Sequence, residues 1–163
     1  MIQTVLTSRW TKLFVWLLCL LPAALLLWRW QHNELGINWI EKVQRGTGDW
    51  TMRFLLFTLC ITPLRRLPGL SALIRYRRLL GLFAFFYGCL HLTIYAWVDK
   101  AFEWNVIWED FTHRRFYIAG LLGFVLLIPL ALTSTAGWIR RLGGKNWQRL
   151  HRLIYFATAA TEV

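Results

Sequence analysis

Acidic residues are scarce in this chain. Eight Asp and Glu stand against nineteen Lys and Arg, a formal net charge of +11. On a soluble protein that imbalance would point to nucleic acid. Here the basic residues sit in short clusters between apolar runs, the pattern that membrane topology produces, which argues against nucleic acid as a partner. Cysteine is also scarce. Cys19, Cys60 and Cys89 each lie in a different apolar run. With an odd number, no CxxC and no Cys/His zinc spacing, neither a disulfide framework nor a zinc site is indicated, and the three read as small packing residues. Neither a GxGxxG fingerprint nor a soluble flavin domain is visible in these residues, and no molybdenum site is visible either. There is no internal repeat and no low-complexity segment. Arg9 and Lys12 precede an apolar run as they would in a signal peptide. That run ends in LLPAALLLWRW, without a small-residue cleavage site, and reads as an uncleaved first span.

What is abundant is apolar and aromatic. Apolar residues make up 57% of the chain, with eleven Trp and eleven Phe, against about 45–50% in soluble domains. They fall into five runs, at 13–28, 51–64, 79–98, 116–138 and from about Trp147 to the end. The pattern predicts an all-α, polytopic transmembrane helical bundle forming one domain over 1–163. Pro22 is expected to kink the first run, and Arg53 to snorkel from the start of the second. The fifth run stops at Val163, short of the about 20 residues a crossing needs, and reads as a truncated span.

The connections alternate in charge. Residues 1–12, 65–78 and 139–152 hold twelve basic residues and no acidic ones, whereas Glu34, Glu41, Asp49, Asp99, Glu103, Glu109 and Asp110 lie in the other two connections. The positive-inside rule places the N-terminus and the basic loops in the cytoplasm. Spans one, three and five then run in the same direction.

Four histidines are candidates for chemistry. His32 and His113 lie among charges and read as solvated or interfacial side chains. His91, in GCLHLTIYAW, lies about twelve residues into the third run, roughly 18 Å in at the rise of a helix. An ionisable residue at such depth is a functional candidate, the competing reading being a hydrogen bond to a neighbouring helix. His151 opens the fifth run. Neutral imidazoles in a membrane bundle point to haem. Gly81, Gly88 and Cys89 would give room, and Phe83, Phe85, Phe86 and Tyr87 apolar contact. Arg77 and Arg78 are candidates for pairing with haem propionates. By helix rise, the residues of span three level with His151 are Arg77 and Arg78, not His91. Two haems stacked across the membrane are therefore expected, with His91 at the outer one and His151 at the inner.

Four stretches carry a resemblance: LLFTLCITPLRRL (55–67), IRYRRLLGL (74–82), LHLTIYAW (90–97) and LTSTAGWIRRLGGKNWQRLHRLIY (132–155). With them the chain resembles the family of haem-binding membrane subunits of the MsrPQ methionine sulfoxide reductase system, within the larger ferric-reductase-like transmembrane group. The resemblance implies six spans, of which five are visible here. It implies haem b, one or two, with His91 and His151 as ligands and a further histidine near position 164. It associates FMN with the subunit. It implies a non-catalytic electron-transfer subunit in the bacterial inner membrane, multi-pass, with a periplasmic molybdopterin-containing reductase (MsrP-like) as partner and the quinone pool or a cytoplasmic flavin reductase as donor. A ferric- or oxygen-reducing transmembrane cytochrome b and a cofactor-free membrane scaffold are the alternatives.

Overall fold

The structure is a computed structural model that describes residues 8–161. Every regular element among them is helical, as the apolar runs predict. The chain divides into two compact units, Met1–Asp99 and Lys100–Val163.

In the first unit, α1 is Arg9–Gln31, opened by the Ser8 side chain, which accepts from the Trp10 N–H at 3.3 Å. Pro22 lies inside it. Next comes α2, Trp39–Leu64. The stretch 39–50, read from its charge as part of an outer connection, is instead the first half of this helix. Its charges occupy one side, where Arg45 Nη2 donates to Glu41 Oε1 at 2.9 Å one turn away. Thr47, Phe54, Leu55, Thr58 and Ile61 are buried, a stripe at three- and four-residue spacing that continues into the apolar half. Arg53 lies with its guanidinium 4.8 Å from the Trp50 ring centroid.

A single 3₁₀ turn, Ser71–Leu73, leads into α3, Ile74–Thr93, which runs on into a π-helix, Ile94–Asp99. The main packing of this unit is α2 along α3. On α3 the buried positions are Tyr76, Phe83, Ala84, Tyr87 and Gly88. Phe54 holds the rings of Phe83 and Tyr87 at 5.9 and 5.3 Å, and Trp16 of α1 meets Phe83 edge-on at 5.8 Å. Phe83 and Tyr87, expected beside a porphyrin, pack in this structure against Phe54 of α2. A Cβ at Gly46 of α2 would lie 3.2 Å from the Leu26 methyls of α1.

In the second unit, α4 is Trp104–His113 and α5 is Arg115–Leu132. Lys100 Nζ pairs with Asp110 at 3.1 Å beside α4. The predicted fourth span, 116–138, does not run unbroken. It ends at Leu132, and Thr135 opens α6, Ala136–His151, by accepting from the Trp138 N–H at 3.4 Å. Hydroxyl side chains favour such caps over helix interiors. Gly143, at φ 71° and ψ 150°, kinks α6 with a conformation open only to glycine. The last helix, α7, is Leu153–Thr161, and it packs mainly on α5.

Three helical segments among the described residues are long and apolar enough to cross a membrane: Arg9–Gln31, Ser71–Asp99 and Arg115–Leu132. The predicted second run forms the apolar end of the longer, partly charged α2. The predicted fifth run is divided: Trp147 and His151 belong to α6, and α7 starts beyond them.

Candidate functional site

His91 lies in the last turn of α3, three residues before the π-helix. π-Helical turns are rare and recur beside functional side chains. The ring is half-buried against α2, and its Nδ1 is 2.9 Å from the backbone carbonyl oxygen of Gln44. A carbonyl can only accept, so Nδ1 carries the proton. A neutral ring then has its lone pair on Nε2. No hydrogen bond to Nε2 is present among the described residues. The neighbouring-helix bond and the ligand role are therefore compatible: one ring nitrogen is fixed by α2 and the other is left as a donor atom.

The local sequence makes this possible. In a helix the carbonyl of residue 44 points toward residue 48, whose side chain normally crowds it. Residue 48 is glycine. A Cβ there would sit 3.1 Å from His91 Cε1 and 3.2 Å from Nδ1. The buried Thr47 hydroxyl shares its proton between the same Gln44 carbonyl, at 2.9 Å, and that of Val43, at 3.0 Å.

His151 is the last residue of α6. Its ring stacks on Trp147, one turn back, at 3.9 Å between centroids and 31° between planes. Its Nε2 is 3.4 Å from Thr133 Oγ1. The Thr133 hydroxyl donates to the Pro129 carbonyl at 2.6 Å, so toward His151 it acts as acceptor. Trp147 Nε1 donates to the Thr133 carbonyl at 3.0 Å. His151 is thus seated against the end of α5, in the second unit.

Arg77 and Arg78 lie in the first turns of α3, half-buried and exposed respectively. Thirteen helical residues separate Arg78 from His91, about 20 Å along the axis, so the structure does not bring them together. His32 and His113 are exposed. His32 Nδ1 donates to the Trp28 carbonyl at 2.9 Å. The cysteines are free, Cys19 buried, Cys89 half-buried and Cys60 exposed, so Cys60 is not the packing residue its apolar run suggested. No group of three or more His, Cys, Asp or Glu that could hold a metal occurs among the described residues. The donor set is single imidazoles, which suits the axial positions of haem iron and not an all-protein metal cage.

Sequence reasoning missed Gln44, Thr47 and Gly48. Their signal was two glycines two residues apart inside a helical pattern, which marks close approach of another element.

Residues 47–161 match the family described as ferric reductase like transmembrane component. Several proteins named protein-methionine-sulfoxide reductase heme-binding subunit MsrQ are similar. The one from Caulobacter vibrioides is 51% identical over 141 residues, 86% of this chain and 67% of that protein. The one from Herminiimonas arsenicoxydans is 52% identical over 148 residues, 91% of this chain and 68% of that protein. The one from Rhodospirillum rubrum is 46% identical over 151 residues, 91% of this chain and 71% of that protein. No solved structure matches. A family match over most of the chain, and relatives near half identity, agree with the all-helical apolar fold: the chain belongs to the ferric reductase-like transmembrane family, in its MsrQ group.

Proposed function

We propose that the protein is the haem-holding, transmembrane electron-transfer subunit of a methionine sulfoxide reductase. The observation that carries this reading is the His91 ring, fixed through Nδ1 by the Gln44 carbonyl with Nε2 left as a lone-pair donor where α3 packs along α2. The relatives' name, heme-binding subunit, supports it.

His91 and His151 are the proposed axial ligands of two b-type haem sites, His91 on the outer side and His151 on the inner. Haem, when bound, supplies a one-electron carrier within about 30 Å of hydrocarbon that otherwise insulates. The chain's own residues hold and orient. The Gln44 carbonyl fixes the His91 tautomer. Trp147 and Thr133 set the plane of His151. Arg77 and Arg78, in the first turns of α3, are the proposed partners of haem propionates. FMN is a further proposed cofactor.

The twelve basic residues of 1–12, 65–78 and 139–152 support a cytoplasmic N-terminus in a bacterial inner membrane. In this reading electrons enter from the quinone pool or a cytoplasmic flavin reductase. They leave to a periplasmic molybdopterin-containing reductase that restores oxidised methionines.

The test is transport. The haem-loaded full chain goes into vesicles with ferricyanide trapped inside and dithionite outside. Lumenal ferricyanide should be reduced, and His91→Ala and His151→Ala should each slow this by more than the about 10-fold that loss of a mere outer-shell partner costs. Reduction no faster than in protein-free vesicles would overturn the proposal.

A further inference from the structure

Two glycines interrupt α2, and they do different things. Gly46 faces Leu26 of α1, a flexible aliphatic side chain. Gly48 faces the imidazole of His91, at 3.1 and 3.2 Å from its nearest ring atoms. Each glycine costs the helix about as much as the other. Only the second stands over a group with chemistry.

A Cβ at 48 would meet Cε1 and Nδ1, the part of the ring turned toward α2. Contact that close forces the ring outward by a few tenths of an ångström. The Nδ1–H···O bond to Gln44, now 2.9 Å, would lengthen or bend. The same carbonyl is also addressed by the Thr47 hydroxyl at 2.9 Å, which competes with the imidazole for its electron density.

We propose that Gly48 is a positioning residue for His91: bare backbone at 48 lets the Gln44 carbonyl take the Nδ1 proton, and the strength of that bond sets the donor character of Nε2. The proposal rests on the haem-ligand reading of His91. A bonded Nδ1–H pushes electron density into the ring, makes Nε2 a stronger donor and favours ferric iron. Weakening the bond must therefore raise the midpoint potential of the haem at this site and loosen it. Thr47 acts in the opposite sense, because removing its hydroxyl leaves the Gln44 carbonyl more fully to His91.

The experiment is a redox titration followed by haem absorbance, with haem occupancy measured at limiting haem, on the haem-loaded full chain. Gly48→Ala should move the midpoint of the His91-dependent bands to more positive potential and lower occupancy about 10-fold, the usual scale for outer-shell partners of a ligand. Gly46→Ala, an equal insult to the same helix, should move neither. Thr47→Val, which adds no bulk at the ring, should shift the midpoint to more negative potential, and this arm stands even where Gly48→Ala folds poorly. Wild-type values in Gly48→Ala, equal shifts in Gly48→Ala and Gly46→Ala, or no negative shift in Thr47→Val would each overturn the positioning role. Haem bands that survive His91→Ala unchanged would instead overturn the ligand reading beneath it.

Discussion

The Tyr87 hydroxyl donates to the carbonyl of Cys19, 68 residues earlier, at 2.9 Å. It also accepts from the Ala23 N–H at 3.0 Å. Residues 19 and 23 are the two ends of one helical hydrogen bond in α1, so the phenol enters the ladder of that helix from α3. Pro22 sits beside this point and contributes no N–H of its own. Insertion of a side chain at such a weakened turn is a recognised cause of helix bending. The contact ties α1 to α3 one turn before His91.

Tyr87→Phe and Tyr87→Ala should therefore differ. Without the hydroxyl, Ala23 N–H and Cys19 C=O can pair with each other, so Tyr87→Phe should cost only about 1 kcal/mol. Tyr87→Ala also removes a fully buried ring packed 5.3 Å from Phe54, and should cost about 3–5 kcal/mol. Unfolding in mixed detergent micelles measures both. Equal losses would mean that the ring adds nothing to the fold.

The pair between Lys100 and Asp110 is largely enclosed, with side chains 21% and 13% exposed. Asp110 also lies 4.0 Å from Arg114 Nε. Removing one partner of a mostly buried pair leaves the other charge less well compensated. Asp110→Asn and Lys100→Met should each destabilise by about 2 kcal/mol, below the cost for fully buried pairs because both groups keep some contact with solvent. The double variant should lose less than the sum of the two. Additive losses in the unfolding assay would show the two side chains to be uncoupled.

Trp147 should matter for His151 alone. Its ring covers the imidazole at 3.9 Å and its Nε1 anchors to the Thr133 carbonyl. Trp147→Leu removes both restraints and should lower occupancy of the His151-dependent haem about 10-fold. Trp147→Phe keeps the stack and should fall between. The His91-dependent bands serve as the internal reference, and their loss in equal measure would point to a general folding defect.

His91 was legible in the sequence because a histidine in an apolar run is costly enough to need a reason. The apolar runs and the alternation of basic clusters made the helical membrane fold legible in the same way. The anchor of His91 was not. Its partner is a backbone carbonyl, which no residue identity encodes, and the segment that supplies it, 39–50, is charged enough to read as a connection. Only the glycines at 46 and 48 hinted that two helices come close there. The division of the fourth run at Thr133–Thr135 was hidden for another reason: TSTAG carries no charge and so passes within a longer apolar run, and its hydroxyls act locally as caps. The seating of His151 against Thr133 follows from that division and could not be reached without it.

The central claim is that His91 and His151 each hold haem. The measurement that meets it most directly is a dithionite-reduced minus oxidised absorbance spectrum of the purified full chain, set beside those of His91→Ala and His151→Ala. Sharp low-spin b-type bands, reduced by each substitution separately, are the predicted result. A folded protein without haem bands, or bands indifferent to both substitutions, would contradict it.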